Sequence, residues 1–218
     1  MKNPDTFGVF YILTLPATEM LEGFSFNKLS NMKYSISEEK VVFHDHYKII
    51  KAKVAYDTFE GKQIKTNRLA FERGDSVAIL LYEKETKSVL LTNQFRYPTC
   101  KNNDGWLLEI PAGSMEENEN PNECVTREVM EELGYKITNP KHINTFYSSP
   151  GASTERIFLF FSEVSKNDKT EKGGGAEDEN EDIQLIRLPA SEITSKILEF
   201  KDAKTILALQ WFLLECSH

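Results

Sequence analysis

The chain has 218 residues, with 26 Lys and Arg against 34 Asp and Glu and a net charge of -8. That length suits one domain whose core needs no disulfide or structural metal, and the acidic balance argues against a nucleic-acid binder held by phosphate contacts. No run of about 18 apolar residues is present to span a membrane, and the three cysteines, Cys100, Cys124 and Cys216, are widely spaced without a CxxC, which fits free thiols in a reducing cytoplasm.

Residues 7–14 (FGVFYILT) are apolar, but a single Lys2, the following Asp5 and the lack of a small-x-small cleavage site do not make a signal peptide. Strand-like sequence starts just after Met32. The first 31 residues therefore read as a poorly ordered arm or an upstream extension of the reading frame, within an N-terminal extension drawn at residues 1–39. Residues 40–74 read as a β-hairpin region: 40–59 are rich in β-branched and aromatic residues, Glu60-Gly61-Lys62 signals a turn, and 63–72 resume an extended pattern. Residues 75–218 read as the main domain. Within it, 76–82 (SVAILLY) is a nearly continuous apolar run, as in a strand covered on both faces. Residues 88–95 return antiparallel, and 106–110 (WLLEI) form a short strand stopped by Pro111 and Gly113. The helix that follows has Asn120 as cap, Pro121 at its first position, Glu123 as capping-box partner, an apolar stripe of Cys124, Val125, Val129 and Leu133, and Gly134 as its stop. Residues 155–164 read as a strand, 165–180 as a mobile polar loop around Gly173, Gly174 and Gly175, and 182–188 as a strand. Residues 191–200 and 202–216 read as amphipathic helices. Strands and helices mix without strict βαβ alternation, so the class is α+β, or an αβα sandwich on a mixed β-sheet.

Glu128, Glu131 and Glu132 fall at i, i+3 and i+4 and share one helical face, with Arg127 placed to pair with Glu131. Converging carboxylates repel one another, more strongly as the site dries. The arrangement becomes favourable when a divalent cation occupies it, and oxygen-only donors suit Mg²⁺ or Mn²⁺. On an arbitrary Glu-rich helix such a face would be merely solvated. Here the pattern is longer. Gly113, Glu119, Arg127, Glu128, Val129, Glu131, Glu132, Gly134 and Tyr135 match G-x5-E-x7-R-E-U-x-E-E-x-G-U at every fixed position, with Tyr135 an aromatic where an aliphatic is commoner. In this the chain resembles the Nudix hydrolases. The segments FERGDSVAILL, NQFRYP, WLLEIPAG, SSPGASTE and EDENEDI look like those of the nucleoside diphosphate sugar branch, which includes ADP-ribose pyrophosphatases and GDP-mannose hydrolases. The markers are mixed: GGG-x-EDE looks like GDP-mannose hydrolases, and DENEDI and DAKTILALQW like ADP-ribose pyrophosphatases.

The resemblance implies a Nudix αβα sandwich with an N-terminal antiparallel β region, and Mg²⁺-dependent hydrolysis of a nucleoside diphosphate sugar. ADP-ribose cleaved to AMP and ribose 5-phosphate is the first expectation, with GDP-mannose or ADP-glucose as alternatives. Oxidised-nucleotide hydrolysis and a non-catalytic ligand sensor are weaker rivals, since the box is intact and no DNA-binding helix is visible. The implied metal ligands are Glu128 and Glu132, with Glu131 and the main-chain oxygen of Ala112. Arg127 would orient the glutamates, and Glu119 would tie the loop or reach a metal through water. Glu179 is the first expectation for the catalytic base and Glu181 the second. Arg96 and Arg73 match phosphate- or ribose-binding positions, although a structural salt bridge competes for Arg73. Glu155 matches a terminal-sugar contact, with Pro150 and Gly151 in the tight loop beside it. The N-terminal β region resembles an arm exchanged between the subunits of homodimers. No nucleic-acid or membrane partner is implied.

Overall fold

The computed structural model describes residues 32–175 and 181–216. Strands β1 (Tyr34–His44), β2 (Lys48–Asp57) and β3 (Gln63–Glu72) form an antiparallel sheet in the order β1-β2-β3. Two features differ from the sequence reading. Strand β1 starts at Tyr34, where the strand-like sequence after Met32 begins but inside the 1–39 stretch read as an extension, and the 40–59 stretch is broken by a turn in which the Asp45 N–H donates to the Tyr47 carbonyl at 3.0 Å. The polar run His44-Asp45-His46 interrupts the apolar pattern there and gives the chain its reversal. By compactness the described residues divide into two units, 32–39 with 52–68, and 40–51 with those from 69 onward. The first holds the turn from Thr58 to Lys62, in which Gly61 has a φ of 76°. All the box residues lie in the second.

The second unit is built on a mixed sheet. Strands β4 (Ser76–Glu83), β5 (Ser88–Phe95), β8 (Lys141–Tyr147), β9 (Arg156–Val164) and β10 (Gln184–Pro189) lie in the order β10-β5-β4-β9-β8, with β6 (Trp106–Glu109) on β5 and β7 (Ala112–Ser114) on β4. Strand β4 runs parallel to β9 and antiparallel to β5 and β7. Its apolar run serves both faces. Val77, Ile79 and Leu81 pack with Val125, Val129 and Leu133 of helix α1 (Pro121–Leu133). Ala78 and Leu80 pack with Ala208, Leu209 and Phe212 of helix α3 (Ala203–Glu215). Side chains that alternate along one central strand thus demand a helix on each side, which is the αβα sandwich.

Strands β7 and β8 are absent from the sequence reading. The first is three residues long and contains Gly113, and the second exposes much of both faces. The expected helix over 191–200 is a single α-turn, α2 (Ile193–Lys196), between two 3₁₀ turns. Ile193 is its one fully buried side chain, and Leu198 stays 94% exposed, too little burial to sustain a longer helix.

The aromatic at the end of the box also finds its reason. Tyr135 is fully buried, and its hydroxyl donates at 2.5 Å to Glu83, which is buried at the end of β4. Arg187 of β10 closes a two-pronged pair on the same carboxylate at 2.8 and 3.0 Å, and Thr86 donates at 2.6 Å. Arg187 first, with Thr86 and Tyr135, holds the Glu83 carboxyl down to about 2 against the effect of burial.

Residues 165–175 are bonded to the C-terminal end of α1, in place of the mobile loop that their composition suggests. The N–H groups of Gly174 and Gly175 donate to the carbonyls of Glu132 and Glu131 at 2.8 and 3.1 Å, and those of Thr170 and Glu171 to Gly134. These bonds satisfy carbonyls that a helix end leaves open. The approach requires glycine on both sides. A Cβ on Gly134 would stand 2.1 Å from the Glu171 carbonyl oxygen, and one on Gly173 would stand 2.6 Å from the Leu133 carbonyl carbon.

Candidate active site

Helix α1 begins where Asn120 accepts from the Asn122 N–H at 2.9 Å and Pro121 occupies the first turn. Its buried face includes one charged residue, Glu132, 2% exposed among Val125, Val129 and Leu133. One oxygen of Glu132, Oε2, is buried with no hydrogen-bond partner. Burial first, then the neighbouring Glu128 and Glu181, raise its carboxyl well above the usual range, while Arg96 and the Ala112 N–H oppose this. Glu128 lies one helical turn before it, in a cradle made by Gly113. A Cβ at Gly113 would stand 1.8 Å from the Glu128 carboxyl carbon, so any side chain there would push the carboxylate out of its place. Burial raises Glu128 to about 7, with Arg127 opposing and Glu131 and Glu181 adding to the rise.

Arg127 organises the rim of this site. Its Nη1 donates to Glu128 at 2.9 Å and to Glu131 at 3.0 Å. Its Nε and Nη2 hold both oxygens of Glu119 at 3.1 and 3.2 Å. Glu119 also accepts from the Glu116 N–H at 2.9 Å, so its carboxylate ties down the loop before the helix. As the side chains stand, no three His, Cys, Asp or Glu groups among the described residues form a ready-made ion site. The donors nevertheless fit a hard divalent cation: all are oxygens, two of the carboxyls hold their protons more tightly because burial disfavours the ionised form, and one buried oxygen has nothing to accept from.

The remaining candidates fall into two groups. In the first, Arg73 and Glu155 face each other at 3.4 Å. Glu155 is buried and accepts from Ser76 at 2.6 Å and Ser148 at 2.8 Å, and Arg73 donates to the Ser114 hydroxyl at 3.2 Å and lies over the Tyr47 ring. The structural salt bridge weighed for Arg73 is therefore present. Pro150 and Gly151 form an exposed turn in which the N–H groups of Ala152 and Ser153 donate to the Ser149 carbonyl. The turn is tethered to β3 by the Phe71 N–H bond to the Ala152 carbonyl at 2.7 Å, and Gly151 faces open space.

In the second group, Arg96 stands within electrostatic reach of Glu132 and Glu181. Its guanidinium is engaged by Glu109, which also binds Lys204 of α3. Neither Glu109 nor Lys204 is singled out by the sequence reading. The available signal was a lone carboxylate in the apolar strand WLLEIP, which has to be paired if it is buried. Glu181 sits near both Glu128 and Glu132, and a Cβ on Gly175 would stand 2.5 Å from the Glu181 Cβ. Glu179 lies outside the described residues.

This geometry can be set beside known proteins. The NUDIX domain family model matches residues 72–209. GDP-mannose pyrophosphatase of Cronobacter sakazakii is 34% identical over 186 residues, covering 83% of this chain and 95% of that protein. The protein of that name from Pectobacterium atrosepticum is 38% identical over 178 residues, covering 79% and 90%. A solved structure described as an ADP compounds hydrolase superposes with a TM-score of 0.64 at 17% identity, covering 85% of this chain and 97% of that one, and is a likeness of fold. An intact box on α1, the αβα frame that holds it and relatives matched over nearly their whole length place this chain in the Nudix hydrolase family.

Proposed function

We propose that this protein hydrolyses the pyrophosphate bond of a nucleoside diphosphate sugar with Mg²⁺, or Mn²⁺ in its place. GDP-mannose is the first substrate to test, because the relatives described above carry that name. ADP-ribose is the second, on the DENEDI and DAKTILALQW segments. The observation that carries the reading is Glu132, a buried carboxylate with an unpartnered oxygen beside Glu128 and Glu181. Such a group is a standing cost to the fold unless a cation offsets it.

Glu128 and Glu132 would hold the cation, with Glu131, Glu181 and the Ala112 main chain completing the set. Bound there, a divalent cation supplies charge neutralisation for the two phosphates and acidifies water. Glu179 takes the proton from the attacking water, and Glu181, which raises both box glutamates, is assigned to the cation side. Arg96 offers the guanidinium nitrogen not engaged by Glu109 to a phosphate oxygen. Arg73 and Glu155 brace the loop of Pro150 and Gly151 beside the sugar. With GDP-mannose the products are GMP and mannose 1-phosphate; with ADP-ribose they are AMP and ribose 5-phosphate.

Residues 75–218 form the hydrolase domain and strands β1, β2 and β3, residues 34–72, the dimer-forming region. The exposed apolar side chains along β1, Tyr34, Ile36, Val41, Val42 and Phe43, support a homodimer, since a long exposed apolar strand invites pairing. The free thiols of Cys100, Cys124 and Cys216 suit the cytoplasm, and no described helix is long and apolar enough to cross a membrane. The test is Glu132→Gln, which should abolish Mg²⁺-dependent turnover of GDP-mannose and ADP-ribose and leave the fold intact by circular dichroism. Retained turnover overturns the reading.

A further inference from the structure

Glu109 is a carboxylate that the chemistry above leaves unused. It ends β6, is 3% exposed, and precedes the fully buried Ile110. Arg96 Nε and Nη2 donate to it at 3.1 and 2.9 Å, and Lys204 Nζ donates at 2.9 Å. Lys204 also meets Asp202, the cap of α3, at 3.0 Å. The backbone around Glu109 is fixed as well. Its carbonyl accepts from the Thr92 hydroxyl at 3.2 Å, and the next N–H, of Ile110, donates to Thr205 at 2.9 Å. Strands β5 and β6 and the start of α3 thus converge on one side chain.

A buried ion cluster is an expensive way to fill space, since apolar side chains of similar volume often do as well or better. What the cluster does provide is direction. A guanidinium is a rigid planar fork. With Nε and Nη2 spent on Glu109, Nη1 is the terminal nitrogen left without a hydrogen bond among the described residues. The same guanidinium lies within electrostatic reach of Glu132 and Glu181.

We propose that Glu109 is a positioning residue: it grips the Nε–Nη2 edge of Arg96 so that Nη1 is presented to the pyrophosphate oxygens, and Lys204 balances its charge. This rests on the reading of Arg96 as a phosphate-binding residue.

The test is a double-mutant cycle read by calorimetric titration of α,β-methylene GDP, a diphosphate that cannot be cleaved at its bridge, in the presence of Mg²⁺. Glu109→Gln should weaken binding about tenfold, the scale of one charge-assisted contact, and Arg96→Lys by a similar factor. If Glu109 acts through Arg96, the double variant binds no worse than Arg96→Lys alone, within about twofold. Losses that multiply, or wild-type affinity in Glu109→Gln, overturn the assignment. Should Glu109→Gln fail to fold, Glu109→Asp keeps the charge and shortens the reach, and the same loss and non-additivity are expected of it. GDP-mannose turnover by the wild type is measured alongside. Turnover with multiplying losses removes only the role of Glu109, and non-additive binding without turnover removes only the proposed activity. A wild type that binds the probe no better than its variants removes the role of Glu109, and one that also fails to turn over GDP-mannose overturns both.

Discussion

Replacing Glu128 by Gln separates the cost of the candidate metal site to the fold from its use in turnover. In the folded chain burial lifts the Glu128 carboxyl from its ordinary 4.5 to about 7. Ionising it therefore works against folding. The penalty is absent below pH 4.5, grows between pH 4.5 and 7, and is complete above that, where it amounts to about 3 kcal/mol. Gln carries no such penalty, and the pairing with Arg127 at 2.9 Å is already included in it, since Arg127 opposes the rise. The net expectation at pH 8 without divalent cations is a variant more stable by about 3 kcal/mol, or about 6–12 °C in melting temperature for a chain of this size. At pH 4 the gain should vanish. Mg²⁺ should raise the melting temperature of the wild type and leave the variant almost unmoved, because binding to the native state alone shifts stability by mass action. Calorimetric melts in chelator and in Mg²⁺ at both pH values measure all four quantities. A Glu128→Gln protein that is less stable than wild type at pH 8 in chelator would refute the reasoning.

The buried Glu83 cluster should behave in the opposite way toward acid. Its folded carboxyl sits near 2, below the ordinary value, so its stabilisation is present above pH 4.5 and is lost as the pH falls toward 2; Arg187→Ala should cost about 3–5 kcal/mol at pH 7 by stranding that charge and much less at pH 2.5, and equal costs at both pH values in denaturant titrations would count against it. Gly173→Ala forces a Cβ within 2.6 Å of the Leu133 carbonyl carbon; turnover should fall about tenfold or more as the loop shifts on α1, and unchanged kcat would show that the docking is incidental. Glu179→Gln should lower kcat with little change in KM, and Glu181→Gln should instead weaken the response of melting temperature to Mg²⁺; the reverse pattern would exchange their roles.

Local chemistry made some elements legible and left others hidden. Helix α1 could be read to its ends because Asn120, Pro121 and Gly134 are signals that act within a few residues. Strand β4 could be read because burial on both faces leaves an unbroken apolar run from Val77 to Leu81. Strand β8 could not, since its partly exposed faces leave a weak alternation, and the turn at Asp45–Tyr47 falls inside a stretch whose composition remains β-like on both sides. The box glutamates were legible as a face, but their energetics were not. That Glu132 is almost wholly buried, or that Gly113 exists to admit the Glu128 carboxylate, depends on β7 lying beside α1. Glu109, Lys204 and Arg96 are far apart in the chain and meet only through the sheet and α3, as do Glu83, Tyr135 and Arg187. Ion clusters assembled from distant segments leave no local period to read.

The most direct test of the central claim is to incubate the purified protein with GDP-mannose and Mg²⁺ in ¹⁸O-labelled water and identify the products by mass spectrometry, with a chelator control and ADP-ribose in parallel. The account predicts cleavage only with the cation, into a nucleoside monophosphate and a sugar phosphate, with one labelled oxygen on one of the two. Release of inorganic phosphate, or no cleavage of either substrate with Mg²⁺ or Mn²⁺ present, would contradict it.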